Sequence, residues 1–500
     1  MKRIAAIVTV LSMLIFLCAC ADQTDTDKET TNIQTDTAPS DEETRSPYDI
    51  SDDLPLGLDF EGRVINVVSS DRSWWIDEVT VPEFNGEVVN DAVYNRNLAV
   101  ETRLNLKINN IKIPYANSNS STVDAVKIAV QSGTRDYDIA FVNAYQSLYN
   151  SLNGIYHNLY DIEYLDLGKP YWSQGVNQAI EFRGAQYAAT GSIALSTMRF
   201  AFVTIFNKDI FDQNSLTYLY EPVRQNKWTL DYQYSLVRDF YSDLNGNNRE
   251  DIGDLYGFIT NEYICSDPYW AACEVHILGR DADGAYKYVL DIGKLSDVVD
   301  NLLTLYNATG TLVIVHKAAD AEQDDMRKMF AEGHGAMVTL RLMEVEHSDM
   351  RNMESPYGIV PIPKYNEEQE NYHTLMHDQF TVVSVTATVL EEDYGVMGAF
   401  LEAMASESHR RVIPAYYESA LKYKYSHDPE SWEMLDIVIE NITTDAGIIY
   451  TSALSNIHHN LRTIMGEGIN TVASRFKTIL KVMERVIGNL NSSLEKLADR

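Results

Sequence analysis

The most specific local pattern in the chain is Asp243-Leu-Asn-Gly-Asn-Asn-Arg-Glu-Asp-Ile-Gly-Asp254. Oxygen-bearing side chains fall at loop positions 1, 3, 5, 9 and 12: Asp243, Asn245, Asn247, Asp251 and Asp254. Arg249, at position 7, would offer its backbone carbonyl. Ca²⁺ takes six to eight oxygens from a loop spaced in this way, and the pattern predicts a structural ion rather than a catalytic one. Position 6 is Asn248 instead of Gly, although Asn tolerates positive φ. Position 12 is Asp, shorter than the usual bidentate Glu. A hydrogen-bonded Asx-rich turn without an ion fits the same residues. Asp281-Ala-Asp-Gly284 reads more simply as a hairpin turn.

Aromatic residues are the second source of chemistry: 31 Tyr, 15 Phe and 6 Trp, with Tyr dominant. A flat ring with a polar tip can stack on the apolar C–H face of a sugar and also reach a hydroxyl. Candidates for such contacts lie just after strands or in loops. They are Trp74, Trp75, Asn143, Tyr145, Trp270, Asp378 and Tyr416, with Tyr269 and Tyr417 beside them. Each could instead pack a core, and Trp172, Trp228 and Trp432 are assigned to packing. Nucleophile-elbow, zinc-protease, phosphate-loop and dinucleotide signatures are absent from the sequence. The pair His458-His459 and the lone His409 read as surface or helix-face residues. Glu344 and Glu346 precede His347, and a solvated segment explains them as well as a carboxylate site would. With 73 acidic residues, some carboxylate pair will fall in a cleft by chance, so a pair alone does not establish glycosidase chemistry.

The elements that must position these residues alternate. Arg63–Ser69 reads as a buried strand, Asn90–Arg103 as a helix, Leu104–Ile113 as a strand, Thr122–Ser132 as a helix ended by Gly133, and Asp138–Val142 as a strand. This β-α-β-α-β order predicts a parallel sheet. Thr204–Asn207, Ala336–Leu340, Tyr357–Pro363 and Phe380–Val385 read as further strands. Lys208–Phe211, Thr229–Ser242, Glu391–Ser406, Ser431–Asn441 and Thr471–Leu497 read as helices. No fixed-period repeat is visible.

The N-terminus sets the compartment. Lys2 and Arg3 precede the apolar run Ile4–Leu17, which is shorter than the ~20 residues needed to span a bilayer. The run ends in Leu17-Cys-Ala-Cys20, which resembles the bacterial lipobox. That resemblance implies cleavage before Cys20 and lipidation of its sulfur. A plain signal peptide, or an anchor that is never removed, are the alternatives. Residues 21–53 hold eleven acidic side chains against Lys28 and Arg45 and few bulky apolar ones. Such a segment cannot bury a core and reads as a disordered tether. The sequence therefore predicts signal peptide 1–19, lipidated Cys and tether 20–55, and a globular body held on the extracellular face of the cell membrane. Cys265 and Cys273 remain, eight residues apart; a local disulfide and two buried thiols are both open.

The body is large enough for two lobes of substantial core. With 40 basic and 73 acidic side chains, the full chain has a net charge of −33. A charge of this sign argues against nucleic-acid binding and against adhesion to anionic lipid through a basic face. It suits a neutral or cationic ligand.

Six segments, in order, resemble extracellular solute-binding proteins of family 1, the maltose-binding-like subunits of ABC importers. They are Gln131-Ser-Gly-Thr-Arg-Asp-Tyr-Asp138, Phe182-Arg-Gly-Ala-Gln-Tyr187, Ile205-Phe-Asn-Lys-Asp-Ile-Phe211, Trp228-Thr-Leu-Asp231, Phe330-Ala-Glu-Gly-His-Gly-Ala-Met337 and Gly358-Ile-Val-Pro-Ile-Pro363. The likeness covers about residues 60 to 440 and is poor past Thr444. Ala185 and Gln186 stand where Lys is usual, and Phe206 replaces a common Tyr. The resemblance implies an α/β fold of two lobes, each a mixed sheet flanked by helices, with the ligand held in the cleft between them. One lobe would take 56–193 with 382–446, the other 194–381 with 447–500, and Gly191 with Ser192 is a candidate hinge. The implied function is non-catalytic capture of a carbohydrate, an oligosaccharide by expectation. No cofactor is required beyond the possible Ca²⁺. The implied partners are the transmembrane permease subunits of an ABC importer; the membrane is met only through the lipid, and a monomer is expected. A surface-anchored glycoside hydrolase is the main alternative. A binding protein for a peptide, a cationic solute or a metal ion is another, the low His content counting against transition metals.

Overall fold

The computed structural model describes residues 46–75, 78–116, 118–316, 321–426 and 428–499. Cys20 and the leader and tether expected before residue 46 lie outside them.

The first sheet has four strands in the order Thr381–Val385, Ile139–Asn143, Arg63–Ser70, Leu106–Ile113. The last three run parallel, with Arg63 opposite Leu106 and Val67 opposite Ile139; Thr381–Val385 is antiparallel, with Thr381 opposite Asn143. Both faces are covered, as a parallel sheet requires. The period-2 alternation of strand side chains divides them between two cores. Ile65, Val67, Ile139, Phe141, Val383 and Val385 face one core, shared with Met397, Phe400, Leu401 and Met404 of the helix Tyr394–Glu407. Val68, Ala140, Val142 and Val382 face the other.

That second core continues into a six-stranded sheet. Phe202–Asn207 is antiparallel to both Tyr357–Val360 and Gly335–Arg341. Gly335–Arg341 is parallel to Leu255–Asn261, which is parallel to Thr311–Ile314 and antiparallel to Tyr241–Ser242. The edge strand expected over 357–363 stops at Val360 because Pro361 and Pro363 cannot donate to a ladder. Strands over 255–261 and 311–314 are additions to the sequence reading.

Helix ends follow local rules. Gly133 closes Ser121–Ser132 at φ +67°. Val88–Leu104 begins before Asn90, whose amide instead donates to the Glu83 carbonyl. The helix expected over 229–242 ends at Val237. Pro429–Glu440 sits with the second sheet, where Ser431 Oγ accepts the Ile359 N–H at 2.9 Å, although the sequence division places 382–446 with the first. Val472–Ala498 buries Phe476, Met483, Ile487, Leu490 and Leu494 at helical spacing. Its Asn491 closes the strand Tyr286–Tyr288 by bonding both the N–H and the carbonyl of Tyr286. The hairpin expected at Asp281–Gly284 is present, with Gly284 at φ +82°. Among the described residues no helix is long and apolar enough to cross a membrane.

Candidate functional site

Five parallel strands deliver one residue each to the same cleft, always two positions past the strand's last residue. Arg72 follows Arg63–Ser70, Tyr115 follows Leu106–Ile113, and Tyr145 follows Ile139–Asn143. From the second sheet, Tyr263 follows Leu255–Asn261 and His316 follows Thr311–Ile314. The antiparallel strand Thr381–Val385 begins at this end, so the residues before it, His377, Asp378 and Gln379, join the wall. His459 and Arg462 enter from the late helix His459–Glu467. The cavity they enclose has about 310 Å³. Ligands of open α/β sheets bind outside the carboxyl ends of strands for this topological reason.

The walls combine flat rings with fixed polar groups. The Arg72 guanidinium lies 3.3 Å from the Trp74 ring centroid and 4.4 Å from that of Tyr115, and donates to Asn119 Oδ1 at 2.9 Å. Cation–π contacts and that bond hold its fork in place. Arg341 lies 4.7 Å from the same Trp74 ring. Opposite, Tyr263 stacks on His316 at 3.8 Å, and Arg462 lies 4.5 Å from the Tyr263 ring. Arg462 is buried and grips both oxygens of Asp267. His377 is buried among Trp74, Phe200 and Phe202. Burial, and then the guanidiniums of Arg341, Arg462 and Arg72, hold its pKa well below the ordinary value. The lining holds one carboxylate, Asp378, and two guanidiniums, so the cleft itself does not favour a cationic solute.

The structure separates the residues singled out from sequence. Tyr145 and Asp378 line the cleft, and Trp74 lies against Arg72 at its edge. Trp75 is a support: it is buried and its Nε1–H donates to the Gln379 carbonyl at 2.9 Å. Asn143 is also a support. It accepts from Gln146 N as the cap of Ala144–Ser151 and donates to the Asn119 carbonyl. Trp270 does not face the cleft; it is 1% exposed in the core. Tyr416 lies elsewhere too, donating to Glu346 Oε1 at 2.9 Å beside a separate cavity of about 250 Å³. The reading of His458-His459 as exposed is corrected: His458 is 1% exposed and lies against Asp378. Arg72, Tyr115, Tyr263 and His316 escaped the sequence reading, and their shared offset from strand ends is the signal that would have found them.

A larger cavity, about 670 Å³, lies against the crossing segment at Gly191 and Ser192. Its Tyr171 and Tyr417 hydroxyls are committed to Glu402 and Asp436. No central-sheet strand ends there, so the strand-end cleft is the better ligand site. Gly191 itself serves close packing: a Cβ there would meet the Tyr171 carbonyl oxygen at 2.3 Å.

In the Asp243–Asp254 loop, Asp243 accepts the N–H groups of Gly246 and Asn248. Asn245 and Asn247 accept the N–H groups of Asn247 and Arg249 while donating their amides to Asp251. Asp254 is buried and accepts from Leu244 N and Tyr241 OH. Asn248 takes the positive φ, +59°, expected of it. Cys265 and Cys273 are free, buried thiols. Burial pushes Cys265 up to about 12, which keeps it protonated and unreactive.

No family model matches the sequence, and no curated protein matches it. Solved structures do. A cyclo/maltodextrin-binding protein complexed with maltotetraose aligns at TM-score 0.54 and 12% identity, over 85% of this chain and 97% of its own. UgpB from Mycobacterium tuberculosis, in complex with glycerophosphocholine, aligns at 0.52 and 15%, over 85% and 98%. An ABC transporter solute-binding protein from Thermotoga lettingae, bound with α-D-tagatose, aligns at 0.52 and 12%, over 85% and 100%. The chain has the solute-binding-protein fold of the maltose-binding type.

Proposed function

We propose that the chain is an extracellular solute-binding protein that captures a carbohydrate, an oligosaccharide in particular, and hands it unaltered to the permease of an ABC importer. The observation that carries this reading is the convergence of Tyr115, Tyr145 and Tyr263 with Asn119, Gln379 and Arg72 at the strand ends of both sheets. Rings supply stacking surfaces, and amides and a guanidinium supply hydroxyl partners. The fold neighbours, several bound to sugars, support the class. Solute binding acts by favouring the state in which both sheets' loops contact it. Anchoring through a lipidated Cys20 would keep the protein beside its permease on the outer face of the membrane. The test is a thermal-shift screen of the mature protein against glycans and other small solutes. A ligand that binds only the native state raises Tm by mass action. An oligosaccharide should shift it, and a response confined to peptides or amines would refute the assignment.

The proposal includes a structural Ca²⁺ at Asp243, Asn245, Asn247, the Arg249 carbonyl, Asp251 and Asp254. The Asn245 and Asn247 side-chain oxygens each accept one backbone N–H, which leaves each a second lone pair for a cation. Chelation by EGTA should lower Tm, with recovery on adding Ca²⁺, and Asp243→Ala should abolish the response. A Tm indifferent to chelator assigns the loop to its hydrogen bonds alone.

A further inference from the structure

Asp378, His458 and His459 bring a carboxylate oxygen and two imidazole nitrogens within 4.8 Å of one another, the one such group among the described residues. His458 is 1% exposed. Its Nδ1 lies 2.8 Å from Thr451 Oγ1. With the Nδ1 proton donated to that hydroxyl, Nε2 keeps its lone pair. Nε2 faces Asp378 Oδ2 at 4.0 Å and has no hydrogen-bond partner among the described residues. A buried nitrogen without a partner is costly and calls for an explanation.

We propose that Asp378, His458 and His459 form a binding site for a divalent transition-metal ion of the zinc class in the wall of the cleft. Two imidazoles and a carboxylate are a donor set suited to such ions. The Thr451 contact is the outer-shell bond that orients a ligating histidine. Zinc–ligand bonds of about 2.0–2.2 Å require the three donor atoms to close in by less than about 1 Å each. Arg462, which also lines the cleft, grips both oxygens of Asp267, and that carboxylate balances its charge beside the trio. Asp378 and His459 also line the 310 Å³ cavity, so the ion's remaining position opens toward the solute. A hydroxyl or carboxylate of the solute could complete its coordination. The site stands independently of which solute is carried.

The experiment uses the mature chain without a histidine tag, stripped with chelator and titrated with Zn²⁺ by calorimetry in excess Ca²⁺. Co²⁺ serves as a spectroscopic substitute. One saturable equivalent of Zn²⁺ and a visible Co²⁺ spectrum of nitrogen-ligated type are expected. His459→Ala and Asp378→Asn should each weaken Zn²⁺ binding at least tenfold. His459 is half-buried, so His459→Ala should keep the wild-type far-ultraviolet dichroism; the wild-type Co²⁺ spectrum provides a readout that needs no variant. Absence of saturable binding by the wild type overturns the proposal, as does wild-type affinity in both variants. Zinc binding without any glycan binding would refute the carbohydrate reading alone, and the converse would refute the metal site alone.

Discussion

At the residue scale the cleft works through rings whose faces are already organised. Trp74 looks in the sequence like a stacking platform, yet the Arg72 guanidinium occupies the space 3.3 Å from its centroid. Of the tyrosines lining the cavity, Tyr115 carries Arg72 at 4.4 Å and Tyr263 carries His316 and Arg462, whereas Tyr145 makes no ring or cation contact among the described residues. Tyr145→Ala should therefore weaken glycan binding about tenfold, or about 1.4 kcal/mol, in calorimetry. Trp270→Ala should lower Tm sharply, because it empties a core site. Any loss of solute affinity on replacing Trp270 in molecules that remain folded would contradict this division. The buried histidines predict a pH response. His377, His458 and His459 have folded pKa values below the unfolded ~6.5. The unfolded chain then binds more protons as pH falls through 6.5, so stability is intact above that pH and declines below it. For His459 the loss continues down to about pH 3. Denaturant midpoints measured at pH 7.5 and 5 should show a fall of up to about 1.4 kcal/mol per pH unit for each histidine. The same fall in His377→Gln as in the wild type would contradict a contribution from that imidazole.

At the scale of elements, the β-α-β-α-β start was legible because apolar strand runs and Gly133 agree on it, although neither early helix uses a side-chain N-cap. The second sheet was only half legible. Leu255–Asn261 holds Gly257 and a polar end, and Thr311–Ile314 has four residues, too few to display a period. Missing those strands hid Tyr263 and His316, which are defined by where the strands stop. His458 was misread for a related reason: it is buried against Asp378, eighty residues away in sequence. Gly191 was weighed as a hinge for its freedom, and the structure gives a different reason for it. The Trp172–Gly191 bridge leaves no space for a Cβ. Gly191→Ala should cost about 1–3 kcal/mol through forced displacement of the Tyr171–Trp172 backbone. An unchanged denaturation midpoint would mean that this crossing segment yields freely.

At the scale of the whole molecule, a chain of net charge −33 surrounds a cleft whose lining carries two guanidiniums and one carboxylate. The overall charge thus describes solubility and field, whereas the cleft's selectivity is local. The second core runs without a break from the first sheet to the six-stranded one. The proposed solute class rests on the cleft holding a sugar and releasing it intact. Calorimetry of the mature protein with oligosaccharides, followed by chromatography of the recovered ligand, tests this most directly. One-to-one binding, weakened at least tenfold in Tyr263→Ala, with the oligosaccharide recovered at its original length, is the expected result. Failure of every glycan to bind, or the appearance of new reducing ends, would contradict it.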